Sequence, residues 1–351
     1  MAATRIKKTR ESNFELLRIF AGLAVVVLHF NYFPGGGGAL ANAQGFTRFF
    51  LMSLQVLCIG AVNIFILLSG YFNCYSNKIK IGRLLKILLQ TSFIQICLSA
   101  ITSAVHHSWN LKNLIGTIIP ANYFVILYIT MMFLAPFINR LMDSLNQKSL
   151  TILITIVFII FSVYSIAVDI LKEITGNPWA GLSPIGLDGS MNGYSIVNFV
   201  MVYMIGAWLR KTDVLRKIRL SVLFFALIGC VIILILWRQL LPGTSWGYHN
   251  PLLVLEACTI FGIFSRIRLS SKWVNIVAPA SFTCFLIQGK ILGLMNERIT
   301  NLKTLPEVLL HLIITVLGIY LISIGVMFLW DYISKPIEKL INRKKPDVQV
   351  G

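Results

Sequence analysis

The chain has 351 residues, of which 57% are apolar and only 13% charged, against about a quarter charged in an ordinary soluble domain. The mean hydropathy is +0.80, and the apolar content suffices for roughly ten bilayer-crossing helices of about twenty residues each. A soluble globular enzyme, a coiled coil and a disordered chain are thereby excluded, and the net charge of +18 belongs to a membrane protein.

In chain order, apolar runs predict spans near 15–33, 49–73, 87–104, 119–138, 150–168, 193–209, 220–237, 250–265, 273–295 and 307–330. The expected fold class is all-α: a polytopic integral membrane protein with about ten transmembrane helices. A basic N-terminus, 1–14, and a basic tail, 331–351, flank one transmembrane domain, 15–330. Loops 1–14, 74–86, 139–149, 210–219, 266–272 and 331–351 hold 23 lysines and arginines, and the alternate loops hold six. This positive-inside bias places both termini in the cytoplasm. Anionic membrane lipids account for the excess charge, so nucleic acid is not an expected partner. The first run carries Arg18 at its start and lacks a small-residue cleavage site, so it reads as a retained helix. The six cysteines lie mostly within apolar runs and show no CxxC or metal-ligand spacing, which predicts small buried side chains and no metal site. No internal repeat of the transporter kind is visible.

The first span, ESNFELLRIFAGLAVVVLHF, carries the informative polar residues. Eleven residues at 100° each return Arg18 and His29 to one helix face, about 16 Å apart along the axis. Glu15 stands one turn before Arg18 and is placed to pair with it, and Gly22 between them leaves a groove for a neighbouring helix or an extended ligand. Charge inside a span requires a partner or a water-filled cavity, so this face is expected to look inward, onto one hydrated passage open to the cytoplasm. An imidazole there takes a proton from an attacking hydroxyl. An arginine nearer the cytoplasm holds a phosphate or carboxylate.

After this span, Gly35 to Gly38 follow Pro34 as a flexible outer run, most simply a linker. The second span adds Gln55, Asn63 and Ser69, with Asn63 a candidate to orient His29 or a substrate oxygen. Behind it come Lys78, Lys80, Arg83 and Lys86. The last three stand at helical spacing on the cytoplasmic side, either as the inside charge itself or as a seat for nucleotide phosphates. The outer loop 169–192 is long enough to cover a cavity and too short for its own core. Glu256, six residues into span eight, must pair, protonate or meet water. Gln288 is expected to face the cavity of His29, and Lys290 to reach outward to the interface. His106, His107, His249 and His311 are weaker candidates, and the basic tail from Lys339 to Lys345 suits lipid headgroups.

The same residues resemble the membrane-bound acyltransferase 3 family, which includes bacterial O-acetyltransferases of surface polysaccharides. Its first-helix signature, an arginine and a histidine with ten residues between them, is similar to Arg18 and His29 in FELLRIFAGLAVVVLHF. Its polar residue, aliphatic run and Ser-Gly-aromatic motif resembles NIFILLSGYF from Asn63 to Phe72, where many members carry aspartate in place of Asn63. The following basic positions match Lys80, Arg83 and Lys86. The resemblance implies a multi-pass O-acyltransferase of the bacterial inner membrane. Acetyl-CoA would serve as donor substrate with no permanently bound cofactor, and the acceptor would be a glycan or lipid-linked sugar. His29, Arg18 and Asn63 are then the candidate catalytic residues, and Arg18, Lys80, Arg83 and Lys86 the candidate acyl-CoA site. A multi-pass transporter or exporter of a lipid-linked sugar or small anion is the alternative, with Glu256, Arg18 and His29 along its path; in a third, the buried polar groups only join helices.

Overall fold

Twelve principal helices carry almost all of the computed structural model, which describes residues 11–32, 36–105, 107, 116, 122–343 and 348–349. They are α1 Ser12–Asn31, α2 Gly45–Ile59, α3 Ala61–Asn73, α4 Ile81–Val105, α5 Tyr123–Asp143, α6 Gln147–Phe158, α7 Ser165–Thr175, α8 Ile196–Thr212, α9 Leu220–Leu240, α10 Pro251–Phe264, α11 Ala280–Leu294 and α12 Leu305–Arg343. Two-residue strands β1, Lys78–Ile79, and β2, Val348–Gln349, pair antiparallel. The protein is an all-α polytopic membrane protein. Seven helical stretches of the described chain are long and apolar enough to cross a bilayer.

Every predicted span meets helix, but three of the helices are shorter than those seven stretches. The spans at 193–209, 250–265 and 273–295 become helices of 17, 14 and 15 residues. At 1.5 Å per residue the 14-residue α10 rises only about 21 Å, short of a hydrocarbon core of about 30 Å. The second span is two helices broken at Gly60, where an added Cβ would stand 3.4 Å from the Glu256 carboxylate. The fifth runs through a π-helical turn, Ile159–Tyr164, into α7.

Hydrogen bonds and ion pairs gather the predicted loops into two opposite ends. At the basic end Ser12 bonds Ser271, and Asn13 reaches the Phe264 carbonyl. Arg266 donates to carbonyls of the 215–218 segment, Lys211 pairs with Asp143, Asn139 donates to the Asn73 and Ser76 carbonyls, and Lys86 meets Asp331 at 3.4 Å. At the other end Asn296 donates to Gly36, Asn42 to Thr300, the amides of Gly243 and Thr244 to Glu173, and that of Tyr248 to Asn192. Among the described residues the loops therefore alternate between ends in the order that the charge bias requires. The basic end is called inner below, and the opposite end outer.

Burial separates the centre of the bundle from its lipid face. In an 18-residue apolar segment of the α2–α3 stretch 78% of the residues are buried, and in one of α9 only 17%. The exposed apolar side chains of α9 and α12, among them Phe225, Leu236, Ile314 and Leu321, are what a helix bathed in acyl chains requires. α3 and α8 pack closest of all, because Gly70 faces the Tyr203 carbonyl and Gly206 faces the Leu67 carbonyl.

Candidate active site

α1 runs parallel to α11 in a fixed register. Ser12 meets Ser271, an added Cβ at Gly22 would stand 2.9 Å from Ser281 Cβ, and Asn296 reaches Gly36. The groove expected at Gly22 is thus filled by a neighbouring helix. The constant offset of about 260 residues sets Val25 at the height of Phe285 and His29 at that of Gln288, one turn farther out.

Two large cavities open on α1 from opposite ends. The inner one, about 790 Å³, is lined by Glu15, Arg18, Lys80, Arg83 and Lys86 together with Ser69, Gln90, Phe65, Phe124 and Phe285. Arg18 is held by Glu15 at 2.7 Å. The sequence-derived cation row and Arg18 therefore come together on one wall. The outer cavity, about 800 Å³, is lined by His29, Asn31, Tyr32, Arg48, Gln55, Tyr194, Arg238, Trp246 and Tyr248. Arg18 and His29 thus share a helix but not a chamber, which corrects the expectation of one continuous passage. The reason is aromatic: Phe124 lies tilted against Phe285 at 4.9 Å and edge-on to Phe65 at 6.4 Å between centroids. These three rings roof the inner cavity about one helical turn below His29.

His29 Nδ1 lies 3.0 Å from the Val25 carbonyl. A carbonyl only accepts, so Nδ1 carries the proton and Nε2 keeps the basic lone pair.

A family model for the acyltransferase 3 group, described as an acyltransferase domain, matches residues 11–324. The chain belongs to this acyltransferase family. Searches of curated proteins and of solved structures return no match.

In this acyltransferase Asn63 lies outside both cavity walls. It is buried, and its amide nitrogen donates to the Tyr248 carbonyl at 2.8 Å. That bond uses one of the two amide N–H groups and ties Asn63 to the segment that carries Trp246 and Tyr248 on the outer cavity. The next carbonyl, that of His249, accepts from Ser162 Oγ at 2.6 Å. Burial raises the Tyr248 phenol well above its usual pKa, so it meets the cavity as a neutral donor and not as a base.

Sequence reasoning undervalued His249. It is fully buried, its Nε2 is 3.2 Å from Asp169 Oδ2 without hydrogen-bond alignment, and its Nδ1 is 3.4 Å from Ser190 Oγ. The Ser190 hydroxyl bonds Asp169 directly, and its amide donates to the other carboxylate oxygen at 3.1 Å. The carboxylate grips the serine itself, and Ser190 is 1% exposed, so the trio works as a clamp on the outer loop and not as a nucleophile relay. Gly189, at φ 126°, admits no side chain because a Cβ would meet Asp169 at 2.8 Å. His249→Ala is expected to cost about 2–3 kcal/mol of stability by leaving Asp169 and Ser190 underpaired, read as a lowered melting temperature in detergent. The spacing of 59 residues between Ser190 and His249 gave no signal of this contact.

Among the remaining expectations, Gly36 to Gly38 are not a free linker. Gly37 N–H caps the His29 carbonyl at 2.8 Å and Gly38 N–H that of Tyr32 at 2.9 Å, while Pro34 and Gly35 lie outside the described residues. Glu256 is fully buried, and neither carboxylate oxygen has a hydrogen-bond partner among the described residues. Gln288 is buried at the height of His29 but lines neither large cavity. Lys290 is exposed, as interfacial snorkelling requires. His106 and the side chains of the basic tail fall outside the described residues.

Proposed function

We propose that this membrane acyltransferase moves an acetyl group from acetyl-CoA in the inner cavity to a hydroxyl of a surface polysaccharide or lipid-linked glycan in the outer cavity of a bacterial inner membrane. The observation that carries the proposal is the polarity of α1: an ion-paired arginine on a cation-lined inner chamber, and one turn beyond an aromatic roof a histidine with its basic nitrogen free. The nucleotide phosphates sit by Lys80, Arg83 and Lys86 with Arg18 deeper, and the pantetheine arm extends toward His29 once the roof of Phe65, Phe124 and Phe285 parts. His29 Nε2 takes the hydroxyl proton as the oxygen attacks the thioester carbonyl. The C–S bond then breaks, and the departing thiolate recovers the proton from the imidazolium.

Each half of the site has its own readout. Lys80→Ala and Arg83→Ala are expected to raise the KM for acetyl-CoA about tenfold each with little change in kcat, because these cations hold the phosphates equally well in the ground and transition states and so supply uniform binding. Labelled acetyl-CoA turnover in purified membranes with candidate glycans tests this. A normal KM in the double variant removes the phosphate seat from the inner cavity.

A further inference from the structure

The outer cavity carries a charge pattern that general-base chemistry does not use. Its wall holds Arg48 and Arg238 and no acidic side chain. Arg48 donates one bond to the Leu40 carbonyl at 3.3 Å, and Arg238 donates to the Pro242 carbonyl at 2.7 Å and Ser245 Oγ at 3.3 Å. Among the described residues no carboxylate approaches either guanidinium within salt-bridge distance. The acid that acts on Arg238 electrostatically, Glu173, spends both oxygens on the amides of Gly243 and Thr244, while Arg48 acts on it as a like charge. Two of the six basic residues of the outer loops thus converge on one cavity, against the bias that clears cations from those loops. Like charges held together without a counter-ion favour an anionic ligand between them.

The rest of the wall suits a sugar. The Arg238 guanidinium lies 3.7 Å from the Trp246 ring centroid, which fixes an aromatic face beside the charge. Asn31 and Gln55, 1% and 4% exposed, each line the cavity and retain an amide oxygen without a partner, an acceptor for a hydroxyl donor. The volume of about 800 Å³ is within the range of small-molecule sites, about 300–1,000 Å³.

We propose that the acceptor is an acidic glycan, whose carboxylate or phosphate lies between Arg48 and Arg238 while a neighbouring hydroxyl is presented to His29. The inference rests on the acyl-transfer reading for the role of His29, but not for the binding itself. The test uses the full chain in phosphatidylcholine nanodiscs and fluorescent pentasaccharides of three kinds: neutral glucose units, glucuronate units and phosphorylated glucose units. One acidic probe is expected to bind at least tenfold more tightly than the neutral one, with affinity falling as salt is raised. Arg48→Gln is expected to weaken that binding about tenfold. Arg238→Lys, which keeps the charge but loses the planar fork, should weaken it less than Arg238→Gln. Equal or undetectable binding of all three probes, or undiminished binding by Arg48→Gln and Arg238→Gln, overturns the proposal. So does displacement of the acidic probe by phosphatidylglycerol in the nanodisc, which assigns the arginines to headgroups. Selective acidic binding without acetyl turnover by the unmodified protein would instead remove the transferase chemistry and leave the acidic-glycan site standing.

Discussion

His29→Ala is expected to lower acetyl transfer to a glycan hydroxyl by about 10²–10⁴-fold, the contribution of one positioned general base, while the protein stays folded. The reason for separating chemistry from stability is local. The His29 ring makes one hydrogen bond, to the Val25 carbonyl of its own helix, and otherwise borders the outer cavity, so its loss enlarges a chamber instead of emptying a core. His29→Asn should fall equally far, since an amide of similar polarity supplies no base. The pH profile adds a second readout: the rate of the unmodified enzyme should rise as the imidazole loses its proton and then level off, and both variants should lack that limb. Labelled acetyl-CoA with membranes carrying each variant measures all of this. Transfer at the unmodified rate by His29→Ala rejects the base assignment, and transport of an intact glycan by the same membranes without acetyl-CoA consumption favours an exporter.

What the sequence reveals and what it withholds divide along one physical line. Helices, their alternation and the end at which each loop lies follow from apolar run length and from the position of lysine and arginine, both of which are local. The union of Arg18 with Lys80, Arg83 and Lys86 was within reach too, because cations that must avoid hydrocarbon gather where water enters. The partition of α1 between two chambers was not legible. It depends on Phe65, Phe124 and Phe285 meeting from three helices, and phenylalanine in a membrane span reads the same whether it faces lipid or closes a passage. For Asn63 the tertiary part is its partner: one of its two amide N–H groups bonds the carbonyl of a residue 185 positions away, a contact that no local pattern announces. The clamp of Asp169, Ser190 and His249 and the arginine pair of the outer cavity are likewise tertiary, assembled by loops whose composition looks ordinary. The only local trace of the pair was its breach of the charge bias.

Gly70→Ala and Gly206→Ala are each expected to destabilise the protein by about 2–4 kcal/mol, the upper range for overpacking. Ser69-Gly70-Tyr71 belongs to the motif by which the chain resembles its family, and the contacts show what each residue does. Ser69 Oγ bonds the Phe65 carbonyl at 2.9 Å, the Tyr71 hydroxyl accepts from Arg210 at 2.7 Å, and Gly70 lets α8 come against the backbone of α3. The approach is reciprocal, since Gly206 of α8 faces the Leu67 carbonyl as Gly70 faces that of Tyr203. In each case the obstacle to a methyl group is main chain, which cannot swing aside as a side chain does, so the helices must separate. Within a bilayer, where lipid tails are as apolar as the helix surfaces, such close packing is the main source of association. Gly318→Ala is the internal control, because nothing lies within 4 Å of its added Cβ, and there the better helix propensity of alanine should leave stability equal or slightly higher. The double variant Gly70→Ala/Gly206→Ala should cost less than the sum of its parts, since the first methyl already opens the gap that the second needs. Melting temperatures of the unmodified protein and the four variants in one detergent give the comparison. Additive losses, or a Gly70→Ala protein as stable as Gly318→Ala, would show that α3 and α8 are held together by something other than their glycine contact.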